Sequence, residues 1–110
     1  MIIAIALHNN SLNSPVHLQF GRCSFFAFYN GESDKVTYLE NTEKDSLKDT
    51  GIAVASMLLS KGVSAVVAGR FGMKATDYLR KKQVQMIIPH RKDTTLADIL
   101  KKVNHTGRTT

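Results

Sequence analysis

Three short and almost wholly apolar runs constrain the fold of this chain more than any other feature. They lie at residues 2–7, 63–68 and 84–88. Continuous apolar runs of this length are typical of strands that are buried on both faces of a sheet. A helical pattern precedes the second run and another separates it from the third. This order predicts parallel strands joined by right-handed crossovers.

The remaining segments complete an α/β pattern. Residues 25–29 are aromatic and apolar and end at a turn, and residues 35–40 alternate, so the two predict an antiparallel hairpin. Helices are predicted at residues 51–61, 73–82 and 96–103, the last capped by Thr94 or Thr95. The order is β-β-β-α-β-α-β-α. We expect a mixed five-stranded sheet with helices on its faces, in which the first strand pairs with both the hairpin and the strand at 63–68; this resembles the ribonuclease-H-like architecture.

The length of 110 residues predicts one domain, which we place at residues 1–103, followed by a flexible tail at 104–110. No apolar run approaches the roughly 18 residues that span a bilayer. The apolar N-terminus lacks a preceding basic segment and a small-residue cleavage site, so it predicts a strand rather than a signal peptide. Cys23 is the only cysteine, which excludes a disulfide framework. We therefore expect a cytoplasmic protein that makes no contact with a membrane.

The charge is unevenly distributed along the chain. The formal net charge is +6, and most of the lysines and arginines follow residue 69. A basic half favours an anionic partner, such as a small anion, an anionic cofactor, an acidic protein or nucleic acid. Nucleic acid is the least favoured of these. The alternative interpretation is that these side chains are solvated helix faces, since helix ends favour lysine and arginine.

No complete enzyme active site is evident, so we expect a protein without catalytic activity. Two-metal nucleases need clustered carboxylates at the ends of central strands, and the first strand carries none. We therefore predict no nuclease activity that depends on magnesium or manganese. A serine-hydrolase elbow is absent. A nucleophilic Cys23 would need a histidine beside it, and His17 is a candidate, but no third orienting group is evident.

Gly69-Arg70-Phe71-Gly72 is a candidate anion cradle, because it lies between a buried strand and the start of a helix. Backbone N–H groups and the helix dipole hold anions at such positions. The Gly-Lys-Ser/Thr end of a Walker loop is missing. The alternative is a turn that glycine merely permits.

Several short segments together resemble a known family. They are Ser14-Pro15-Val16-His17-Leu18-Gln19-Phe20-Gly21-Arg22, Gly51-Ile52-Ala53, Lys61-Gly62-Val63, Val66-Val67-Ala68-Gly69 and Gly72. Their order and spacing are similar to those of the dinitrogenase iron–molybdenum cofactor biosynthesis family. The resemblance implies a ribonuclease-H-like fold without established catalysis. It also implies that the protein binds or carries an iron–sulfur or iron–molybdenum type cluster or a precursor.

The resemblance and the candidate anion cradle together suggest a set of site residues. The cofactor-binding candidates are His17, Gln19, Gly21, Arg22, Cys23, Gly69, Arg70 and Gly72. His17 and Cys23 are the candidate metal ligands, since imidazole and thiolate bind iron. The chain departs from the family pattern at Gln19 and at Lys48-Asp49-Thr50-Gly51, where the family has histidine motifs. The alternative function is therefore a protein-interaction or regulatory module that has lost the cluster site and docks an acidic partner or nucleic acid.

The predicted topology brings two of these segments together. Gly21-Arg22-Cys23 should lie near Gly69-Arg70-Phe71-Gly72 at the edge where ligands of open α/β sheets bind. In such a pocket, cations and a helix N-terminus would lower the pKa of Cys23. The competing interpretation makes Cys23 an inert core residue.

Overall fold

The computed structural model describes residues 1–45 and 50–108, with residues 104–108 described through their backbone alone. The strands are β1 (Ile2–Leu7), β2 (Phe25–Asn30), β3 (Lys35–Glu40), β4 (Val63–Val67) and β5 (Gln85–Ile87). The helices are α1 (Thr50–Ser60), α2 (Met73–Lys81) and α3 (Leu96–Arg108). No helix in the described part of the chain is long and apolar enough to cross a membrane.

The strands form one mixed five-stranded sheet in the order β3-β2-β1-β4-β5. β1 pairs antiparallel with β2 and parallel with β4, so the predicted double pairing of the first strand is confirmed. The position of β1 explains its composition, because a strand with a neighbour on each side and helices on each face meets no water. Residues 3–7 are all buried.

The third apolar run differs from the prediction. It was expected to be a buried strand over residues 84–88, whereas β5 spans only Gln85–Ile87 and lies at the edge of the sheet. Gln85 is exposed and the other two residues are half-buried. The predicted adjacency to β4 is confirmed, but the burial is wrong, because an edge strand has a neighbour on one side only.

The alternation of side chains along β1 builds two cores. Ala4 and Ala6 face α1 and α2, and their small side chains leave room for the larger residues of those helices. Ile3, Ile5 and Leu7 face the other side, where α3 packs. The helices therefore cover both faces of the sheet, as expected.

α3 begins with a reciprocal cap. The Asp98 backbone N–H donates to the Thr95 hydroxyl at 3.3 Å, and the Thr95 N–H donates to the Asp98 carboxylate at 3.0 Å. Of the two predicted caps, Thr95 is the one used.

The backbone of α3 remains helical to Arg108, beyond the boundary predicted at residue 103. No proline interrupts this stretch, so nothing in the backbone forces the helix to end earlier. Residues 109–110 of the predicted tail lie outside the described residues.

Candidate functional site

An open cleft of about 300 Å³ lies between the loop that precedes β2, the loop that follows β4, and the starts of α1 and α2. It is lined by Gln19, Phe20, Gly21, Arg22, Thr50, Gly51, Arg70, Gly72 and Ala75. Gly21 and Arg22 therefore lie beside Arg70 and Gly72, which is the juxtaposition that the topology predicted. The cleft lies at the end of the sheet where the carboxyl ends of the parallel strands β1 and β4 meet.

Backbone hydrogen bonds hold residues 17–20 against the ends of both strands. The His17 N–H donates to the Ala6 carbonyl at 2.7 Å, and the Gly69 N–H donates to the His17 carbonyl at 2.9 Å. The Phe20 N–H donates to the Arg70 carbonyl at 3.2 Å. These bonds place the predicted segment of the cleft on rigid strand ends rather than on a loose loop.

Gly69 is not among the described residues that line the cleft. A Cβ atom at this position would lie 2.7 Å from the Leu18 Cα and 2.8 Å from the Leu18 carbonyl oxygen. Only glycine permits two backbones to approach so closely. The role of Gly69 is therefore to bring residues 17–20 onto the end of β4.

Two helix N-termini meet at the cleft. Thr50 and Gly51 begin α1, and Gly72 is the N-cap of α2, where no side chain caps the helix. A Cβ atom on Gly51 would lie 3.0 Å from the Ala75 Cβ, so small residues let the two helices start side by side. The first-turn N–H groups of a helix have no partners within the helix, and the macrodipole places partial positive charge there.

Side-chain charge adds to this field. Arg22 and Arg70 line the cleft, and no aspartate or glutamate is found among its described lining residues. The Arg22 Nη1 donates to the Lys44 carbonyl oxygen at 2.7 Å, which holds the guanidinium at the rim. The site is thus built from positive charge and backbone N–H donors, the combination that binds a compact anion.

Cys23 does not line the cleft. It is fully buried, and its Sγ lies 3.6 Å from the Phe20 carbonyl oxygen and 3.8 Å from the Asn41 Nδ2. Burial raises the pKa of the thiol to about 12. The expected lowering of this pKa is wrong, because the side chain points into the apolar core rather than toward Arg22 and Arg70. The interpretation of Cys23 as a core residue is the one that the structure supports.

Asn41 is a residue that the sequence analysis missed. It is buried, and its Nδ2 donates to the carbonyls of Gly21 at 3.1 Å and Cys23 at 2.9 Å. It thereby fixes the turn that carries Arg22 to the rim of the cleft. The signal in the sequence is slight: an asparagine just past a strand usually indicates only a turn.

His17 is also absent from the cleft lining. Its Nδ1 accepts a hydrogen bond from the Gln19 N–H at 2.9 Å, and its ring lies 4.3 Å from the His8 ring, centroid to centroid. Burial and the neighbouring His8 lower its pKa. Because Nδ1 is engaged as an acceptor, the neutral ring carries its hydrogen on Nε2 and presents a donor rather than a lone pair.

The structure therefore does not bring the two predicted metal ligands, His17 and Cys23, into the cleft. In the described part of the chain, no group of three or more His, Cys, Asp or Glu side chains is placed to hold a metal ion. Gln19 lines the cleft. Of the segment at 48–51, only Thr50 and Gly51 are described, and both line the cleft; Lys48 and Asp49 lie outside the described residues.

The lowered pKa of His17 predicts a loss of stability in mild acid. The unfolded chain binds a proton near the ordinary pKa of 6.5, whereas the folded ring stays neutral to lower pH, so acidification through this range favours unfolding. Asparagine at this position has an acceptor near that of Nδ1 but binds no proton. Between pH values of about 7.5 and 5.5, the free energy of unfolding in urea should fall more for the wild type than for His17→Asn. Equal losses would contradict this account.

The buried thiol of Cys23 predicts very slow alkylation by iodoacetamide. A rise in pKa from 9.0 to about 12 lowers the thiolate fraction near neutral pH by about 10³-fold, and burial also blocks the reagent. Below a pH of about 9, we expect less than half of the Cys23 thiol in the native protein to be alkylated. In urea, we expect the thiol to react rapidly. As a control, Ser33→Cys in a Cys23→Ala background places an exposed cysteine in the β2–β3 turn. Reaction of Cys23 at the rate of this control would contradict the burial.

Comparison with known proteins places the chain in a family. The sequence profile of the dinitrogenase iron–molybdenum cofactor family matches residues 1–106. The chain belongs to this family. An uncharacterized protein of Methanocaldococcus jannaschii is 32% identical over 101 residues, which cover 89% of this chain and 80% of that protein. The resemblance identified from the sequence motifs is thereby confirmed.

Two solved structures of similar fold are informative for this family member. The apo form of the orange protein from Desulfovibrio gigas superposes with a TM-score of 0.85 at 20% identity, covering 96% of this chain and 88% of that one. A NifB-like protein of the DUF35 family from Thermotoga superposes with a TM-score of 0.77 at 30% identity, covering 97% and 89%. The first likeness, at 20% identity, concerns the fold alone. The second, at 30% identity, is also consistent with membership of the dinitrogenase iron–molybdenum cofactor family.

Proposed function

We propose that this family member binds and carries a compact anionic metal cluster, or a precursor of one, in the cleft between the starts of α1 and α2. The observation that carries the proposal is the convergence of two helix N-termini with Arg22 and Arg70 on one cleft. The family name, which refers to the iron–molybdenum cofactor, supports a metal-containing cargo. We propose no catalytic role.

The lining of the cleft defines how such a cargo would be held. No cysteine or histidine is among its described lining residues, so the metal atoms would keep ligands of their own, such as sulfide. Sulfide and oxide ligands accept hydrogen bonds, and the first-turn N–H groups and guanidinium groups donate them. Binding of this kind is reversible without breaking a metal–protein bond, which suits a carrier better than a resident cofactor.

We infer in addition that the sheet is of the ribonuclease-H-like type, which the strand order and the mixed pairing of β1 support. We do not propose nuclease activity for this protein. β1 carries no aspartate or glutamate, and the described lining of the cleft contains none. Two metal ions would therefore lack the carboxylates that hold them in such enzymes.

The test uses tetrathiomolybdate, a compact tetrahedral dianion that carries its own sulfide ligands. Titration under anaerobic conditions, followed by visible absorbance, should show saturable binding to one site per chain. Amide NMR shifts should appear at Gly21, Gly51 and Gly72. Sulfate, which has the same charge and shape but no metal, is the control. It should displace tetrathiomolybdate only at higher concentration, because its oxygen atoms are more strongly hydrated and cost more to desolvate. Absence of saturable binding, or shifts confined to residues far from the cleft, would contradict the proposal.

A further inference from the structure

Three large apolar side chains are unusually exposed at the end of the sheet where the cleft lies. Leu18 is 56% exposed, Ile88 is 58% exposed and Met73 is 84% exposed. Two of them adjoin cleft residues in the chain, since Leu18 precedes Gln19 and Met73 follows Gly72. Scattered surface hydrophobics are ordinary, but a group of them beside a binding site marks an interaction surface.

The backbone contacts relate both Leu18 and Ile88 to the segment that follows β4. The Leu18 backbone packs against Gly69, and the Ala68 N–H donates to the Ile87 carbonyl oxygen at 3.1 Å. The two residues therefore lie on either side of the chain that leaves β4. Together with Met73, at the start of α2, they form what we term the docking surface.

The loops around this docking surface carry mostly positive charge. The loops at residues 8–24, 68–72 and 88–95 carry Arg22, Arg70, Arg91 and Lys92. Their one carboxylate, Asp93, is paired with Arg91 at 3.0 Å. A second copy of this chain would bring like charge against like charge, which disfavours self-association through this surface. An acidic surface is instead its electrostatic complement.

The aromatic side chains of these loops point to a protein partner rather than single-stranded nucleic acid. Phe20 is 2% exposed and Phe71 is half-buried, with their rings 5.2 Å apart, so neither offers an open face on which bases stack. The three exposed apolar side chains of the docking surface are aliphatic or thioether groups. These bury area against apolar side chains of a protein.

We propose that the docking surface binds an acidic protein that presents apolar side chains among its carboxylates, and that this partner delivers or removes the cargo of the cleft. The inference rests on the proposed function for the role of the partner, but not for the binding itself. The apolar residues supply the buried centre of the interface, and the surrounding arginines and lysine orient the partner over the cleft.

The test uses two synthetic peptides of equal charge as probes, one with leucines between glutamates and one with serines in place of the leucines. The leucine peptide should shift the amide signals of Leu18, Met73 and Ile88 and bind at least tenfold more tightly than the serine peptide. The double variant Leu18→Gln, Met73→Gln should weaken its binding about tenfold. Leu12→Gln is the matched control, because Leu12 is 51% exposed but lies beside the start of α3.

Several outcomes would overturn the proposal. Equal affinity for the two peptides would show that charge alone is responsible. Equal weakening by Leu12→Gln would show that the surface is not specific. Concentration-dependent association of the wild type that the double variant abolishes would identify a second copy as the occupant. The double variant should bind tetrathiomolybdate as the wild type does. If the wild type binds the leucine peptide but does not bind tetrathiomolybdate, the proposed function alone is contradicted.

Discussion

Replacing both Arg22 and Arg70 by alanine is expected to weaken the binding of tetrathiomolybdate by about 10- to 100-fold. Each guanidinium offers a charge-assisted hydrogen bond to the anion, worth about 1.5–3 kcal/mol where water is excluded and less here, because both side chains are exposed. The weakening should be smaller at high salt. Salt screens the two arginine charges in the wild type, so their removal then costs less binding free energy. Anaerobic titration at low and at high ionic strength measures both effects.

The control for this experiment is the double variant Arg80→Ala, Lys81→Ala, which removes the same charge. These residues lie in the last turn of α2, about 10 Å along the helix from its start. That distance exceeds the Debye length at physiological salt, roughly 8 Å, so at this or higher salt the affinity should change little. Equal weakening by both double variants would mean that the overall charge, rather than the cleft, attracts the anion.

Gly69→Ala is expected to lower the free energy of unfolding by about 1–3 kcal/mol, as overpacking does in a well-packed interior. The added methyl group would lie within 3 Å of backbone atoms of Leu18. Backbone atoms have no rotamer to adopt, and the Gly69 N–H is already bonded to the His17 carbonyl at 2.9 Å. Relief therefore requires moving residues 17–20 away from the end of β4. Urea unfolding measures the loss.

Gly72→Ala is the matched control for the stability experiment. A Cβ atom on Gly72 meets nothing within 4 Å, and its φ of −68° suits any residue. Alanine is a poorer N-cap than glycine by about 1 kcal/mol, but it restricts the unfolded chain and so stabilises by about 0.4–1 kcal/mol. The two effects oppose each other, so the net change in the free energy of unfolding should be small. If the two variants were equally stable, the close approach of Gly69 to Leu18 would not be what holds residues 17–20 in place.

The secondary structure followed from local patterns. β1 and β3 have the predicted bounds, and the other strands and the first two helices differ from theirs by one or two residues. Burial was harder to predict, as β5 shows: an apolar run does not reveal whether its strand will have one neighbour or two. That property depends on the order of strands in the sheet, which places β5 at the edge.

Single residues of the site show the same difference between what a local pattern predicts and what packing decides. Arg22 and Cys23 are neighbours in the chain, yet one is exposed at the cleft and the other is fully buried. The turn that separates their directions is held by Asn41, which comes from the end of a different strand. A motif match covers both residues equally and cannot distinguish a lining residue from a core residue.

By itself, the sequence determined the family, the elements and the edge of the sheet at which a site should form, because periodicity and motif order are properties of the chain. Only the tertiary structure decided which side chains line that site. The cleft depends on two helix starts that are brought together by the contact of Gly51 with Ala75, and on residues 17–20 seated against Gly69. These contacts join segments far apart in the chain, and their distances are set by packing, which no local pattern encodes.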